Sequence, residues 1–312
     1  MNTKPGSDNR GSGGGSDCEA FTLIELLAVL AMLALLVVTL LPARAASQTK
    51  SQSLQCMDNL RQVMGAMMMY THDNHDFFPP NPDDHTLLAG YDWCQGDVSG
   101  PPPYGALGPE TFNPDILANP RRCLITSYLN TNLTLFRCTA DPRRGYYSGS
   151  DISKVGLVVP ATRTISMSCA VGTIDASYLS NMGHSGVPNL PVTGVWLTGT
   201  RSGNSHNSPW RTYGKTADML APAPSSLLVI TEEDPFSIND GVFATSLGLP
   251  QWVDLPSTLH NMGCVVSFSD GHAELHRWVD PTTRLTTPGG FIPLPPTSID
   301  WNWVSQRVSA RY

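Results

Sequence analysis

The residues best suited to chemistry lie in the last quarter of the chain. His260 is followed, after nine residues, by Asp270-Gly271, and His272 and His276 stand close behind. A histidine and an aspartate brought together could act as general base and orienting acid, and His272 and His276 share one face of a strand of period two. The simpler reading makes Asp270-Gly271 a turn, with the histidines flanking it on a solvated hairpin. Glu232-Glu233-Asp234 follows an apolar run, and Asp240 and Asp270 come later. These acids offer only oxygen ligands, which suits calcium, yet the D-x-D-x-D-G spacing of an EF-hand is absent. Calcium is therefore the one cofactor these positions suggest, and none is otherwise expected. His72, Asp73, His75 and Asp76 are more simply a helix end facing water than metal ligands. Gly183-His184-Ser185-Gly186 lacks the second spacing of a nucleophile elbow, and no phosphate-binding or dinucleotide loop occurs. The sequence thus names no catalytic residue, and a non-enzymatic role is expected.

Seven cysteines (Cys18, Cys56, Cys94, Cys123, Cys138, Cys169 and Cys264) include no C-x-x-C pair, so zinc ribbons and thioredoxin-type motifs lack support. Disulfides and buried free thiols remain equal alternatives for six of them. Only 14% of the 312 residues are charged, the formal net charge is −7, and there are 27 glycines and 26 prolines. Such a chain is loop-rich, suits an extracytoplasmic β domain, and has no basic cluster with which to bind nucleic acid.

The elements that would position these residues begin with a polar, Gly/Ser-rich segment over residues 1–16, then an apolar run from Phe21 to Leu41 that contains a single charge, Glu25. As a helix these 21 positions would rise about 31 Å, the thickness of a hydrocarbon core. A plain anchor explains that length but not Glu25. A secretory signal peptide would use Ala43-Arg44-Ala45, but the run exceeds an ordinary h-region and its flank carries Asp17 and Glu19 in place of basic residues. A leader that stays cytoplasmic and is cut just before the helix fits both features.

Ala20-Phe21-Thr22-Leu23-Ile24-Glu25-Leu26-Leu27 resembles the prepilin cleavage and methylation motif, although the residue before the cut is Ala20 and not the usual glycine. Three further blocks resemble a pseudopilin-like family of unknown activity that carries an H-x9-DG element. They are Cys56 to Asn74 with Pro79, Tyr128-Leu129 with Leu135 to Asp141, and His260 with Asp270-Gly271. The resemblance implies cleavage after Ala20 and N-methylation of Phe21 by a prepilin peptidase/N-methyltransferase. It also implies that Glu25 pairs with the amino terminus of a neighbouring pilin-like subunit. A carboxylate in lipid costs about 2.5–3.5 kcal/mol, which such a partner would offset.

The organisation expected is a leader (1–20), a transmembrane helix (21–42), an amphipathic continuation (43–76) and a loop-rich β domain (77–312). Leu54, Met57, Leu60, Met64, Met67 and Met68 fall at spacings of three and four and predict the buried stripe of the continuation. Leu227 to Thr231 predicts a buried strand, and Gly263 to Trp278 a hairpin closed by a two-residue Asp270-Gly271 turn. The fold class is then α+β and pilin-like, with a long helix packed on an antiparallel sheet with long loop insertions. The expected location is the bacterial inner membrane, single-pass, with the C-terminal domain periplasmic or, after assembly, extracellular. The expected function is a structural subunit of a type IV pilus-like or type II secretion pseudopilus assembly. The alternative is an anchored or secreted surface-binding protein that does not polymerise.

Overall fold

The computed structural model of the protein describes residues 22–83, 90–174, 190–286 and 290–312. The chain divides into two compact units, residues 1–47 and 48–312. Helix α1 (Leu23–Asp73) runs from the first into the second. Among the described side chains of the first unit the apolar ones are exposed, with Leu23 at 74%, Ile24 at 77% and Val38 at 68%. Thr22 and Glu25 cap its start reciprocally: Glu25 Oε2 accepts from the Thr22 N–H at 2.9 Å, and Thr22 Oγ1 accepts from the Glu25 N–H at 3.3 Å. This is a capping box, which satisfies two N–H groups that a helix start leaves without partners.

The second unit is built around a five-stranded sheet. Its strands are β3 (Ile165–Ser168), β6 (Leu228–Glu232), β7 (Val242–Phe243), β9 (Gly263–Phe268) and β10 (Ala273–Arg277), in the order β10-β9-β6-β3-β7. β3, β6 and β9 are buried along their whole length, as a central strand covered on both faces must be. Around the sheet lie two-stranded pieces: β1 (Arg144–Tyr146) with β2 (Val158–Pro160), β4 (Thr173–Ile174) with β5 (Leu190–Pro191), and β8 (Gln251–Trp252) with β11 (Ile292–Pro293). Short helices α2 (Asp115–Ala118) and α3 (Ile299–Val308) complete it. The Ser298 hydroxyl caps α3 by accepting from the Trp301 N–H at 3.4 Å, and Trp301 and Val304 enter the core.

Within 48–73, α1 buries Cys56, Leu60, Val63, Met64, Ala66 and Met67 in that core. Of the expected stripe, Leu60, Met64 and Met67 are buried and Met57 and Met68 pack against the core, whereas Leu54 is 49% exposed and Cys56, Val63 and Ala66 join the inward face. The β9–β10 hairpin forms with Gly263 opposite Arg277 and Ser267 opposite Ala273. Its turn is longer than two residues. The Gly271 N–H donates to Phe268 O at 2.9 Å, and Gly271 alone takes a positive φ (92°), the arrangement in which a turn is followed by a left-handed glycine.

Two expectations are corrected here. The fold is α+β, but short strands and short helices dominate it, and the sheet is mixed because β7 runs parallel to β3. The pilin-like plan of a long apolar helix laid on an antiparallel sheet is therefore not the architecture. Among the described residues no helix is long and apolar enough to cross a membrane. A transmembrane helix over 21–42 and a single-pass inner-membrane location are overturned by this.

Candidate functional site

Glu232 ends β6, and alternation along that strand sends its side chain to one face of the sheet and that of Glu233 to the other. Three other segments converge on Glu232. Cys56 arrives on the buried face of α1. Cys138 follows a helical turn over Leu133–Phe136, and its N–H is held by Thr164 Oγ1 at 2.5 Å. His260 precedes β9 across a tight turn in which both Asn261 and Met262 are left-handed (φ 55° and 58°). Arg277 and Trp278 clamp that turn: Arg277 Nη1 donates to the carbonyls of His260 and Asn261, and the Trp278 N–H donates to Met262 O at 2.7 Å.

The four side chains meet closely. Cys56 Sγ lies 3.4 Å from Cys138 Sγ, and Cys138 Sγ lies 3.3 Å from His260 Nε2. His260 Nε2 is 3.3 Å from Glu232 Oε1 and 3.2 Å from Oε2, and Oε2 also accepts from the Val265 N–H at 2.9 Å. One ligand atom from each residue lies within 4.8 Å of all the others. Exposure is 1% for Cys56, 3% for Cys138, 1% for Glu232 and 0% for His260, so no substrate can reach the group.

Charge is balanced inside this pocket. Burial works against a charged imidazole, yet the hydrogen bonds and charges of Cys56 and Glu232 raise the His260 pKa to about 10. Burial likewise works to raise Glu232, but the His260 hydrogen bond and charge, with the Val265 N–H, hold it below the ordinary carboxylate range. The hydrogen bond between the two sulfurs lowers the Cys56 pKa and, with burial, raises that of Cys138. The cluster brings together one carboxylate, one imidazole ring and two cysteine sulfurs, which is the donor set of a thiophilic metal.

The other predicted positions are scattered. Glu233 accepts from Ser237 Oγ (2.9 Å) and Ser166 Oγ (2.6 Å), Asp234 from the Phe236 N–H (3.1 Å) and Thr258 Oγ1 (3.2 Å), and Asp240 from the Val242 N–H (2.8 Å). Asp270 is exposed at the hairpin tip, with His272 Nδ1 at 2.5 Å. The five acids weighed for calcium thus serve separate turns, and Glu232 alone joins the cluster. His260 and Asp270 sit at opposite ends of β9, about 20 Å apart along a strand of this length, so the hydrolytic pairing is not formed. Gly271 shapes the turn. His276 stacks on Trp303 with ring centroids 3.6 Å apart, and burial lowers its pKa to about 4. At the end of α1, Asp73 accepts from Tyr128 Oη and Asp76 from Thr216 Oγ1, both structural contacts. Ala20 and Phe21 lie outside the described residues. Reading the sequence missed Cys56 and Cys138 as site residues; the inward spacing of Cys56 with Leu60 and Val63 was the available signal.

Comparison with family models, with curated proteins and with solved structures gives no significant match to this chain.

Proposed function

We propose that the chain is a structural subunit of a pilus-like or pseudopilus-like assembly, with the start of α1 as its assembly element. The observation that carries the reading is the set of exposed apolar side chains over 23–36 and at Val38, among which Glu25 is the one charge. Apolar surface of that extent on every side of a helix is not left in water. A single partner would cover one face, whereas several parallel copies of the same helix would cover all of it. In this reading a prepilin peptidase cuts after Ala20 and methylates Phe21, and Glu25 sets the register by pairing with the new amino terminus of a neighbouring copy. The folded second unit, closed by its own core, would be displayed outward.

The test is mass spectrometry of the mature protein from its native host. A methylated Phe21 start is expected, while a start at Ala46 would mean signal-peptide cleavage and remove the assembly element. Glu25→Ala is expected to abolish filament formation with the second unit still folded. Filaments of normal length and yield from that variant would end the proposed role of Glu25. A cleaved and methylated chain that stays monomeric would favour a surface-binding protein.

A further inference from the structure

The geometry points to a structural metal site made of Cys56, Cys138, Glu232 and His260, and we propose zinc as its ion. A tetrahedron with metal–sulfur bonds of about 2.3 Å and metal–nitrogen or metal–oxygen bonds of about 2.0–2.1 Å has calculable edges. They are about 3.8 Å between two sulfurs, about 3.5 Å between sulfur and nitrogen, and about 3.3 Å between nitrogen and oxygen. The corresponding separations are 3.4 Å, 3.3 Å and 3.2–3.3 Å. Opening the two sulfurs by about 0.4 Å, a small side-chain rotation, makes room for the ion.

Ligand chemistry chooses the metal. Two thiolates, one imidazole and one carboxylate fit zinc better than calcium or magnesium, which take oxygen ligands. Four protein donors with no open position, in a pocket sealed from solvent, define a structural and not a catalytic centre. The ligands come from segments far apart in sequence: 82 residues separate the two cysteines, 122 separate Cys138 from His260, and 28 separate Glu232 from His260. An ion there would tie α1 to β6 and to the start of β9, and the left-handed Asn261-Met262 turn that aims His260 would have a purpose beyond reversing the chain.

The rival is a Cys56–Cys138 disulfide, since the paired thiols suit an oxidising compartment. It would leave His260 and Glu232 facing each other without a role for either. Cys94 and Cys123 provide an internal contrast. They too are buried free thiols, facing each other across a backbone β-bridge, but they are not part of any such group of ligands among the described residues.

The full chain, prepared without chelator and with its thiols kept reduced, would be assayed for bound zinc by elemental mass spectrometry. One ion per chain is expected. Cobalt loading of the same protein is expected to give thiolate-to-metal charge-transfer absorption. Cys138→Ser and His260→Ala should each bring bound zinc to background, while Cys123→Ser should retain it. Should either ligand variant fail to fold, chelation of the wild type decides: release of one zinc with loss of thermal stability, reversed by zinc alone, supports the site. Folded, reduced wild-type protein that takes up no zinc overturns it. A Cys56–Cys138 disulfide in peptide maps of protein from its native host also overturns it. None of these readouts depends on filament assembly, so the site and the assembly role can fail separately.

Discussion

Glu233→Gln is expected to stabilise the protein at neutral pH, although it alters a carboxyl whose oxygens accept two hydrogen bonds. Glu233 is completely buried beyond the end of β6, with its oxygens receiving Ser237 Oγ and Ser166 Oγ. Burial is the main cause of a pKa of about 8, against 4.5 for an exposed glutamate; the two hydroxyls and Arg163 pull it down, and Asp240 pushes it up. Below pH 4.5 the carboxyl is protonated in both folded and unfolded chains, and its contribution to stability is fully present. Between pH 4.5 and about 8 the unfolded chain gives up the proton and the folded chain keeps it, so stability falls with rising pH at about 1.4 kcal/mol per unit. By pH 7 that amounts to about 3 kcal/mol, and above pH 8 it grows no further.

Glutamine has the same shape, keeps an acceptor oxygen and does not titrate. Variant and wild type should therefore be nearly equal at about pH 4, and the variant should lead by about 3 kcal/mol at pH 7. Urea midpoints measured across that range would show the gap opening by about 1 M for a denaturant slope of about 3 kcal/mol/M. Burial also raises Asp92, which gives both proteins a similar slope and largely cancels in the difference, while Asp254 is raised by burial and then by Glu233, so the substitution eases Asp254 as well. A gap that does not change with pH would refute the reasoning. So would a variant less stable at pH 7 beside a wild type that calcium stabilises, because Glu233 would then be an ionised ligand.

Two further perturbations test the packing of the second unit. Arg143, fully buried, pairs with Asp141 at 2.9 Å and donates to the carbonyls of Val98 (2.8 Å) and Arg163 (3.0 Å). Arg143→Met leaves Asp141 buried without its partner and should cost about 3–5 kcal/mol in chemical denaturation, with part recovered by adding Asp141→Asn. Gly145 on β1 has no room for a methyl group, since a Cβ there would lie 2.1 Å from the Phe112 ring. Gly145→Ala should lower stability by about 1–3 kcal/mol, and Phe112→Leu in the same chain should relieve much of the loss.

How far the sequence discloses this structure depends on the range of each signal. The β9–β10 hairpin and β6 were legible because continuous apolar runs beside Asp270-Gly271 are local patterns. The turn type was not, because Asp-Gly also serves a longer loop in which only Gly271 needs a positive φ. The stripe on α1 was legible from its period, with Leu60, Met64 and Met67 buried and Met57 and Met68 packed against the core; Leu54 is as apolar as these, and only tertiary packing selects Cys56 and Val63 over it. β7 has two residues, too few to carry a period, so the parallel pairing that makes the sheet mixed left no trace. The exposed start of α1 was read as apolar, yet its length in lipid could not follow from composition. The Cys56, Cys138, Glu232 and His260 cluster was illegible for a topological reason: no local spacing relates residues that four separate segments bring together.

Energetics favour an ion at that cluster over a bare set of side chains. Without metal, the protein buries a His260–Glu232 ion pair, whose attraction roughly offsets its desolvation and adds little net stability. His260 Nδ1 is buried with no hydrogen-bond partner among the described residues, a loss of about 1–3 kcal/mol. That loss remains when Nε2 binds a metal, so the ion must outweigh it. Structural zinc contributes about 10–16 kcal/mol of apparent binding energy in small peptides at neutral pH, several times the deficit. The same ion would neutralise the thiolate and carboxylate charge that burial otherwise penalises. A polar pocket fully sealed in a core with so few charged residues has no surface role to serve. Holding α1 to the sheet by four ligands is what its position allows.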